Sequence, residues 1–386
     1  MRLAALLSAI PKRCGAARQW LALCLAASMA VGTGATPPPT SPPTPQPAPS
    51  AAQGRSASAV GYTRLRVPAL AGPLTVFYPS ADAAQAMPIG PYTLRVAPQG
   101  QPAAGNGRLI VISHGSGGSA VTYAELATTL VAAGFVVAVP EHEGDNWRDD
   151  RDSGPVSWQR RPHEISRAID TVLRDARWAA RLQAQAVGVY GMSAGGHTAL
   201  TLAGGRWSPA RGQAHCQAHL AQDFYGCVGL RAELTGGPQD AATLAAVREQ
   251  LRAARPDPTE HTYTGPRVRA IVAEVPLAAN FDPASLAQPV APLGLIRASA
   301  DRWLPPRFHV DAVRAACPAC TLIADLPHAG HGALLAPAPQ HLPPLAQRLL
   351  AGPAPLPAPL AQSTRQATAA FFLRHLTEAG KAPGRP

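Results

Sequence analysis

The sequence predicts an α/β protein: a doubly wound, mainly parallel sheet with an inserted, lid-like segment. Three observations carry that expectation. Short, continuous apolar or β-branched runs alternate with longer helix-patterned segments. Gly-rich turns directly follow two of those runs, at Gly115–Gly118 and Gly191–Gly196. The 386-residue chain is 46% hydrophobic and 15% charged, which supplies a packed core and excludes the composition of a disordered chain.

Residues 1–35 are patterned as an export signal. Arg2, Lys12, Arg13 and Arg18 precede an apolar run from Trp20 to Val31, and the small residues Gly32-Thr33-Gly34-Ala35 follow. The run is too short to span a membrane, so no stable membrane insertion is expected. Residues 36–59 form a Pro-rich linker, with eight prolines between Thr36 and Ser50, and should be extended polyproline II. The folded domain occupies residues 60–386. The expected location is the periplasm or the exterior of a bacterium, since only Lys12 and Lys381 stand among 34 basic residues, a bias typical of GC-rich genomes. The net charge of +11 falls to +7 once the signal is removed, without a basic stripe, so no nucleic-acid partner is expected.

Within the domain, Leu74–Tyr78 and Tyr92–Val96 read as antiparallel strands near the start. Leu109–Ser113, Phe135–Pro140, Ala186–Tyr190, Val268–Ala273, Leu293–Ala298 and Thr321–Leu326 supply the parallel strands. Helices are expected at Tyr123–Ala133, Glu164–Ala179, Ala194–Ala203 and Val310–Ala316. Residues 204–266 break the alternation. They carry Trp207, Cys216, Cys227 and a helical run Ala241–Ala254, and read as an insertion over the sheet edge. A Pro-rich passage, Leu350–Leu360, precedes a last amphipathic helix around Ala367–Leu376.

Export leaves four cysteines: Cys216, Cys227, Cys317 and Cys320. An even number in an oxidising compartment favours pairing, and Cys216–Cys227 with Cys317–Cys320 are the local choices among three connectivities. Cys317-Pro318-Ala319-Cys320 lies between a helix and a strand, not at a helix start, which favours a structural bond over a redox role. No Cys or His spacing points to a zinc site.

The strongest chemical signal is Gly191-Met192-Ser193-Ala194-Gly195-Gly196, after one strand and opening a helix. A tight strand-to-helix turn presents a serine hydroxyl, and flanking glycines relieve the crowding. The same turn aims the Ala194 N–H, at the positive helix terminus, toward a developing oxyanion. Asp301 and His331 follow later strands, where a doubly wound sheet places catalytic groups. Asp301 would orient the imidazole and stabilise its protonated form. His328 is the rival base, and Asp282 and Glu274 are rival acids, while His114 is expected to structure its loop.

Together with Val76-Phe77-Tyr78-Pro79-Ser80, Ser113-His114-Gly115-Ser116-Gly117-Gly118, Pro140-Glu141-His142-Glu143-Gly144-Asp145-Asn146 and Arg161-Pro162-His163-Glu164-Ile165, these strings resemble the α/β hydrolases. The likeness is to the dienelactone-hydrolase-like and platelet-activating-factor acetylhydrolase-like serine esterases, from about Val76 to Leu376. It implies the α/β-hydrolase fold, ester cleavage through a serine acyl-enzyme and no cofactor or metal. It also implies a second oxyanion donor after the strand ending at Ser113, which makes the Ser116 N–H the candidate. Dienelactone itself is not implied, because that enzyme's nucleophile is usually cysteine and this position is Ser193.

The expected function is therefore an exported serine hydrolase for small-molecule carboxylic esters, with Ser193, Asp301 and His331 as the catalytic set. The alternative is a non-catalytic binding protein on the same fold. A metal-dependent hydrolase using His142, Glu143 and Asp145 is a third reading.

Overall fold

The computed structural model describes residues 59–67, 70 and 72–378. The expected export signal and all of the linker except Ala59 lie outside the described residues. Four strands open the domain: β1 (Ala59–Leu65), β2 (Leu74–Ser80), β3 (Gln85–Ile89) and β4 (Tyr92–Pro98). β2 is antiparallel to β1, and β4 is antiparallel to β3 but parallel to β1. Both strands expected near the start are present, yet they do not pair with each other. Their antiparallel partners β1 and β3 lack a continuous apolar run. β3 (QAMPI) is an edge strand containing Pro88, which an edge tolerates because one side makes no ladder bonds.

Next come β5 (Leu109–Ser113), α1 (Ala124–Ala132), β6 (Val136–Pro140), α2 (Pro155–Arg174), β7 (Val187–Met192) and α3 (Ala194–Leu202). After the helices α4 (Pro209–His219), α5 (Phe224–Val228) and α6 (Asp240–Ala253) the chain returns to the sheet. It continues through β8 (Val268–Glu274), β9 (Leu293–Ala298), α7 (Val310–Ala316) and β10 (Thr321–Leu326). It then forms α8 (Pro344–Leu350) and α9 (Ala358–Leu373), the latter running on into a π-turn over Arg374–Glu378.

The sheet order is β10-β9-β8-β7-β5-β6-β2-β1-β4-β3, with β5 to β10 all parallel. β5 is flanked by β6 on one side and β7 on the other, so the winding reverses there. A doubly wound sheet opens a crevice at that switch point, beyond the carboxyl ends of the strands. Alternate residues of each strand feed opposite layers. Val111, Val189 and Ile271 pack with α2 and α3, whereas Ile110, Tyr190 and Val272 pack with α1 and α9.

Ile165, Ala168, Ile169 and Val172 recur along α2 at helical spacing and are all buried. Burying such aliphatic side chains stabilises by about 1.5–3 kcal/mol for each large one. α2 starts nine residues before the expected Glu164, because Pro155 is well suited to a first turn and Pro162 does not break the helix. Buried Ser157 and Arg161 upstream of Pro162 anchor the extra turns. α9 likewise starts inside the Pro-rich passage, at Ala358, where Pro357 caps it.

Residues 204–266 join β7 to β8, which are parallel neighbours within the sheet. The segment has its own small core of Leu220, Phe224 and Val247. It is tied to the chain beyond β8 and β9 by Asp223 with His309 and by Arg206 with Asp282. Both local disulfides are present, Cys216–Cys227 and Cys317–Cys320. The second joins the end of α7 to the start of β10, the opposite end of that strand from His331.

Candidate active site

Ser193 is the single residue between β7 and α3, and its φ of 58° and ψ of −117° lie where side chains are rarely held. Such a conformation costs on the order of 1–3 kcal/mol and survives only when its surroundings impose it. Here the surroundings are backbone. A Cβ on Gly191 would sit 1.9 Å from Gly195 O, and one on Gly195 would sit 1.9 Å from Ser113 O. Only glycine allows β7, α3 and the end of β5 to approach so closely. The Ser193 N–H donates to Glu274 O at 3.0 Å, and its carbonyl accepts the N–H groups of His197 and Leu277. The side chain is half-buried, with no hydrogen bond from Oγ among the described residues.

Asp301 and His331 follow the neighbouring strands β9 and β10. Asp301 Oδ2 lies 2.6 Å from His331 Nδ1, and both side chains are buried. The N–H groups of Trp303 and Leu304 each donate to Asp301 Oδ1 at 2.8 Å. An N–H from Ala300 to Ala329 O ties the two loops together. The Trp303 ring lies against the His331 imidazole, centroids 5.3 Å apart. With Nδ1 committed to Asp301, Nε2 is the nitrogen left to exchange a proton.

The rivals are engaged differently. His328 is exposed and holds its backbone N–H on Ser299 Oγ, while Asp282 pairs with Arg206 on the surface. Glu274 is buried and accepts the Tyr190 hydroxyl. Burial pushes its carboxyl up to about 7, against the opposing influence of that hydrogen bond and of His331.

The loop after β5 lies beside Ser193. A Cβ on Gly115 would fall 3.4 Å from Ser193 Cβ and 3.1 Å from Met192 Sδ. The N–H groups of Ser116 and Ala194, the two candidate oxyanion donors, have no hydrogen-bond partner among the described residues.

Sequence reasoning missed the polar network behind this loop. Ser113 Oγ lies 2.8 Å from His142 Nε2, and His142 Nδ1 lies 2.5 Å from Glu164 Oε2. This is the bonding pattern of a catalytic triad, but all three side chains are essentially inaccessible, so no substrate reaches Ser113. Burial pushes His142 well below the usual imidazole range and Glu164 above the usual carboxylate range. Asp145 is also buried and pairs with Arg161 at 2.8 Å. Burial alone would raise its carboxyl, but Arg161 and the hydroxyls of Ser116, Ser153 and Ser157 more than offset this and hold it low. The only hint in the sequence was the co-occurrence of Glu141-His142 after a strand with Arg161 and Glu164 one helical turn apart.

His142 and Asp145 are thus turned to separate protein partners and do not converge with Glu143 on one point. Elsewhere His215, Asp223 and Cys227 gather donor atoms, but the Cys227 sulfur is bonded to Cys216. Asp223 Oδ2 is already shared between His215 and His309.

Comparison with solved structures decides the fold. A ferulic acid esterase from Streptomyces cinnamoneus superposes with a TM-score of 0.51 at 19% identity, covering 86% of this chain and 94% of that one. The fold is that of the α/β hydrolases. Residues 97–149 match the family described as platelet-activating factor acetylhydrolase, isoform II. That stretch of the α/β-hydrolase fold holds β5, the Ser113–Gly118 loop, β6 and Asp145, and it bears the resemblance read from the sequence. Ser193, Asp301 and His331 lie outside the matched segment. No curated protein matches the chain.

Proposed function

We propose that this protein is an exported serine hydrolase that cleaves carboxylic esters through an acyl-enzyme on Ser193. The observation that carries the reading is Ser193 itself, held at a positive φ on the β7–α3 turn of a sheet whose later strands carry the 2.6 Å Asp301–His331 pair. The likeness to an acetylhydrolase family and to an esterase supports esters over amides.

In the proposed reaction, Ser193 Oγ attacks the ester carbonyl while His331 Nε2 takes its proton. Asp301 keeps Nδ1 protonated and stabilises the imidazolium. The Ser116 and Ala194 N–H groups receive the oxyanion of the tetrahedral intermediate. Its collapse returns the proton to the departing alcohol and leaves acyl-Ser193. Water, deprotonated by His331, then attacks the acyl carbon, releasing the carboxylic acid and restoring the Ser193 hydroxyl. Free enzymes often hold such hydrogen bonds loosely and tighten them with substrate bound, which accommodates the unpaired Ser193 Oγ.

Export is supported by the basic, apolar and small-residue order of residues 1–35 and by the two disulfides, which persist in oxidising compartments. Among the described residues no helix is long and apolar enough to cross a membrane.

Turnover of nitrophenyl esters by the mature protein tests the function, with acyl groups from acetyl to hydroxycinnamoyl and with chelator present. Chelator-insensitive hydrolysis that disappears in Ser193→Ala is the expected result. No turnover of any ester by folded protein would favour the binding-protein alternative, and turnover abolished by chelator would favour a metal-dependent one.

A further inference from the structure

The peptide joining Gly115 to Ser116 is a rigid trans plane, so its C=O and N–H point in opposite directions. The carbonyl end is gripped from within the protein. Gly115 O accepts from His114 Nδ1 at 2.7 Å, from the Gly118 N–H at 3.1 Å and from Arg161 Nη2 at 3.5 Å. The His114 tautomer is set as well: Nε2 accepts the His142 N–H at 3.2 Å, so Nδ1 carries the hydrogen it donates. Arg161, on α2 and fully buried, also donates to His114 O and to Asp145 O.

Asp145 closes the grip. Its Oδ2 receives Arg161, while its Oδ1 receives the Ser116 hydroxyl at 2.5 Å and the Gly117 N–H at 3.2 Å. Ser153 and Ser157 donate to the two oxygens at 2.8 and 2.9 Å. On the α2 side, Arg161 and Asp145 thus hold the carbonyls of His114 and Gly115, the Ser116 hydroxyl and the Gly117 N–H, while on the other layer the Gly115 N–H donates to the Tyr123 hydroxyl at 3.1 Å. The Ser116 N–H, opposite the Gly115 carbonyl across the peptide plane, has no hydrogen-bond partner among the described residues, while Ser193 flanks the same turn.

We propose that Asp145, acting with Arg161, is a positioning residue that fixes the Gly115–Ser116 peptide so that its N–H is aimed at the oxyanion formed beside Ser193. This rests on the serine-esterase reading above. An ionised carboxylate suits the task because everything facing it donates: one guanidinium, three hydroxyls and one backbone N–H. An amide at this position would turn its own N–H₂ toward one of those donors, and the loop would have to yield.

The test compares wild type, Asp145→Asn and Ser116→Ala on nitrophenyl acetate, together with inhibition by a trifluoromethyl ketone, whose adduct with Ser193 carries the oxyanion. Circular dichroism and Tm report folding. Removing an oxyanion donor costs about 10²–10³-fold in turnover, so a displaced one in Asp145→Asn should lower kcat by about 10–100-fold, with KM changed less than about threefold. Ketone affinity should weaken in parallel with kcat, which a purely structural defect would not produce. Ser116→Ala, which removes one of the loop's bonds to Asp145, should show the same pattern at about 3–10-fold. Folded Asp145→Asn with unchanged kcat and ketone affinity, or with its loss confined to KM, overturns the proposal. If Asp145→Asn does not fold, Ser116→Ala decides alone, and equality with wild type in both readouts overturns it. Failure of the esterase reading has a different signature: Ser193→Ala would keep its activity and the ketone would not inhibit wild type.

Discussion

Asp301 divides its carboxylate between two tasks: Oδ1 is fixed by the N–H groups of Trp303 and Leu304, and Oδ2 lies 2.6 Å from His331 Nδ1. The acid is therefore immobilised by its own loop before it orients the imidazole. Its aim does not depend on the flexible rotamers that a surface pair would need to freeze.

That geometry makes the proposed catalytic set testable residue by residue. Asp301→Asn should lower kcat by about 10⁴-fold, because an amide stabilises the wrong imidazole tautomer. Ser193→Ala and His331→Ala should each lose a comparable or larger factor, since the three act as one unit. His328→Ala should stay within about threefold of wild type, as its ring makes no described contact to Asp301. Steady-state kinetics with labelling by a fluorophosphonate probe would check all four. A dead His328→Ala beside an active His331→Ala would reverse the base assignment.

Glu274 sets a pH dependence of stability. Its carboxyl is raised to about 7 in the fold, above its unfolded value, so the folded state holds a proton that the unfolded state releases earlier. The contribution is fully present below about pH 4.5 and is lost as pH rises through about 7, on the order of 3 kcal/mol in total. Gln can accept the same Tyr190 hydroxyl without titrating. Glu274→Gln should therefore gain stability relative to wild type between pH 5 and pH 8, measured by urea unfolding at each pH. A stability difference that is flat across that window would show that Glu274 does not titrate there.

Gly195→Ala should be severely destabilising and inactive. The added Cβ would lie 1.9 Å from Ser113 O, a contact between two backbones that cannot both stay in place. Overpacking of this kind typically costs about 1–3 kcal/mol or more, and here it displaces the Ser193 turn itself. Thermal unfolding and turnover should fall together, and a variant of normal Tm and kcat would contradict the described packing.

Material secreted by its native host should begin between Val31 and Ser50 and carry both Cys216–Cys227 and Cys317–Cys320 links. N-terminal sequencing and non-reducing peptide mapping read these directly. An intact Met1 with four free thiols would place the protein in a reducing compartment. Removing the Cys216–Cys227 link by a double Ser substitution should cost about 2–3 kcal/mol in the chain-entropy picture for so short a loop. The loss should show first as faster hydrogen exchange in α4 and α5.

The sequence by itself determined the parts of this protein that are encoded within a few neighbouring residues. Continuous apolar runs specified β5 to β10 as strands, β5 to β9 largely buried on both faces and β10 at the sheet edge, and Gly191, Ser193 and Gly195 specified the turn that lifts a serine out of β7. Both are local, because steric demands and side-chain periodicity act over a single element. What the tertiary structure decided was partnership. Glu274 ends a strand, Asp282 and Asp301 follow strands, and His328 and His331 stand three residues apart, so no local rule ranks them. The loop contact between Ala300 and Ala329 is what sets Asp301 against His331 while leaving His328 outside. The pairing of β1 with β2 and of β3 with β4, the unbroken passage of α2 through Pro162 and the Ser113–His142–Glu164 network were beyond the sequence for the same reason. The orientation of the Ser116 peptide depends on Arg161, 46 residues from Gly115. Contacts at that separation form only when α2 docks on the sheet, and the burial that makes them strong does not exist until it does.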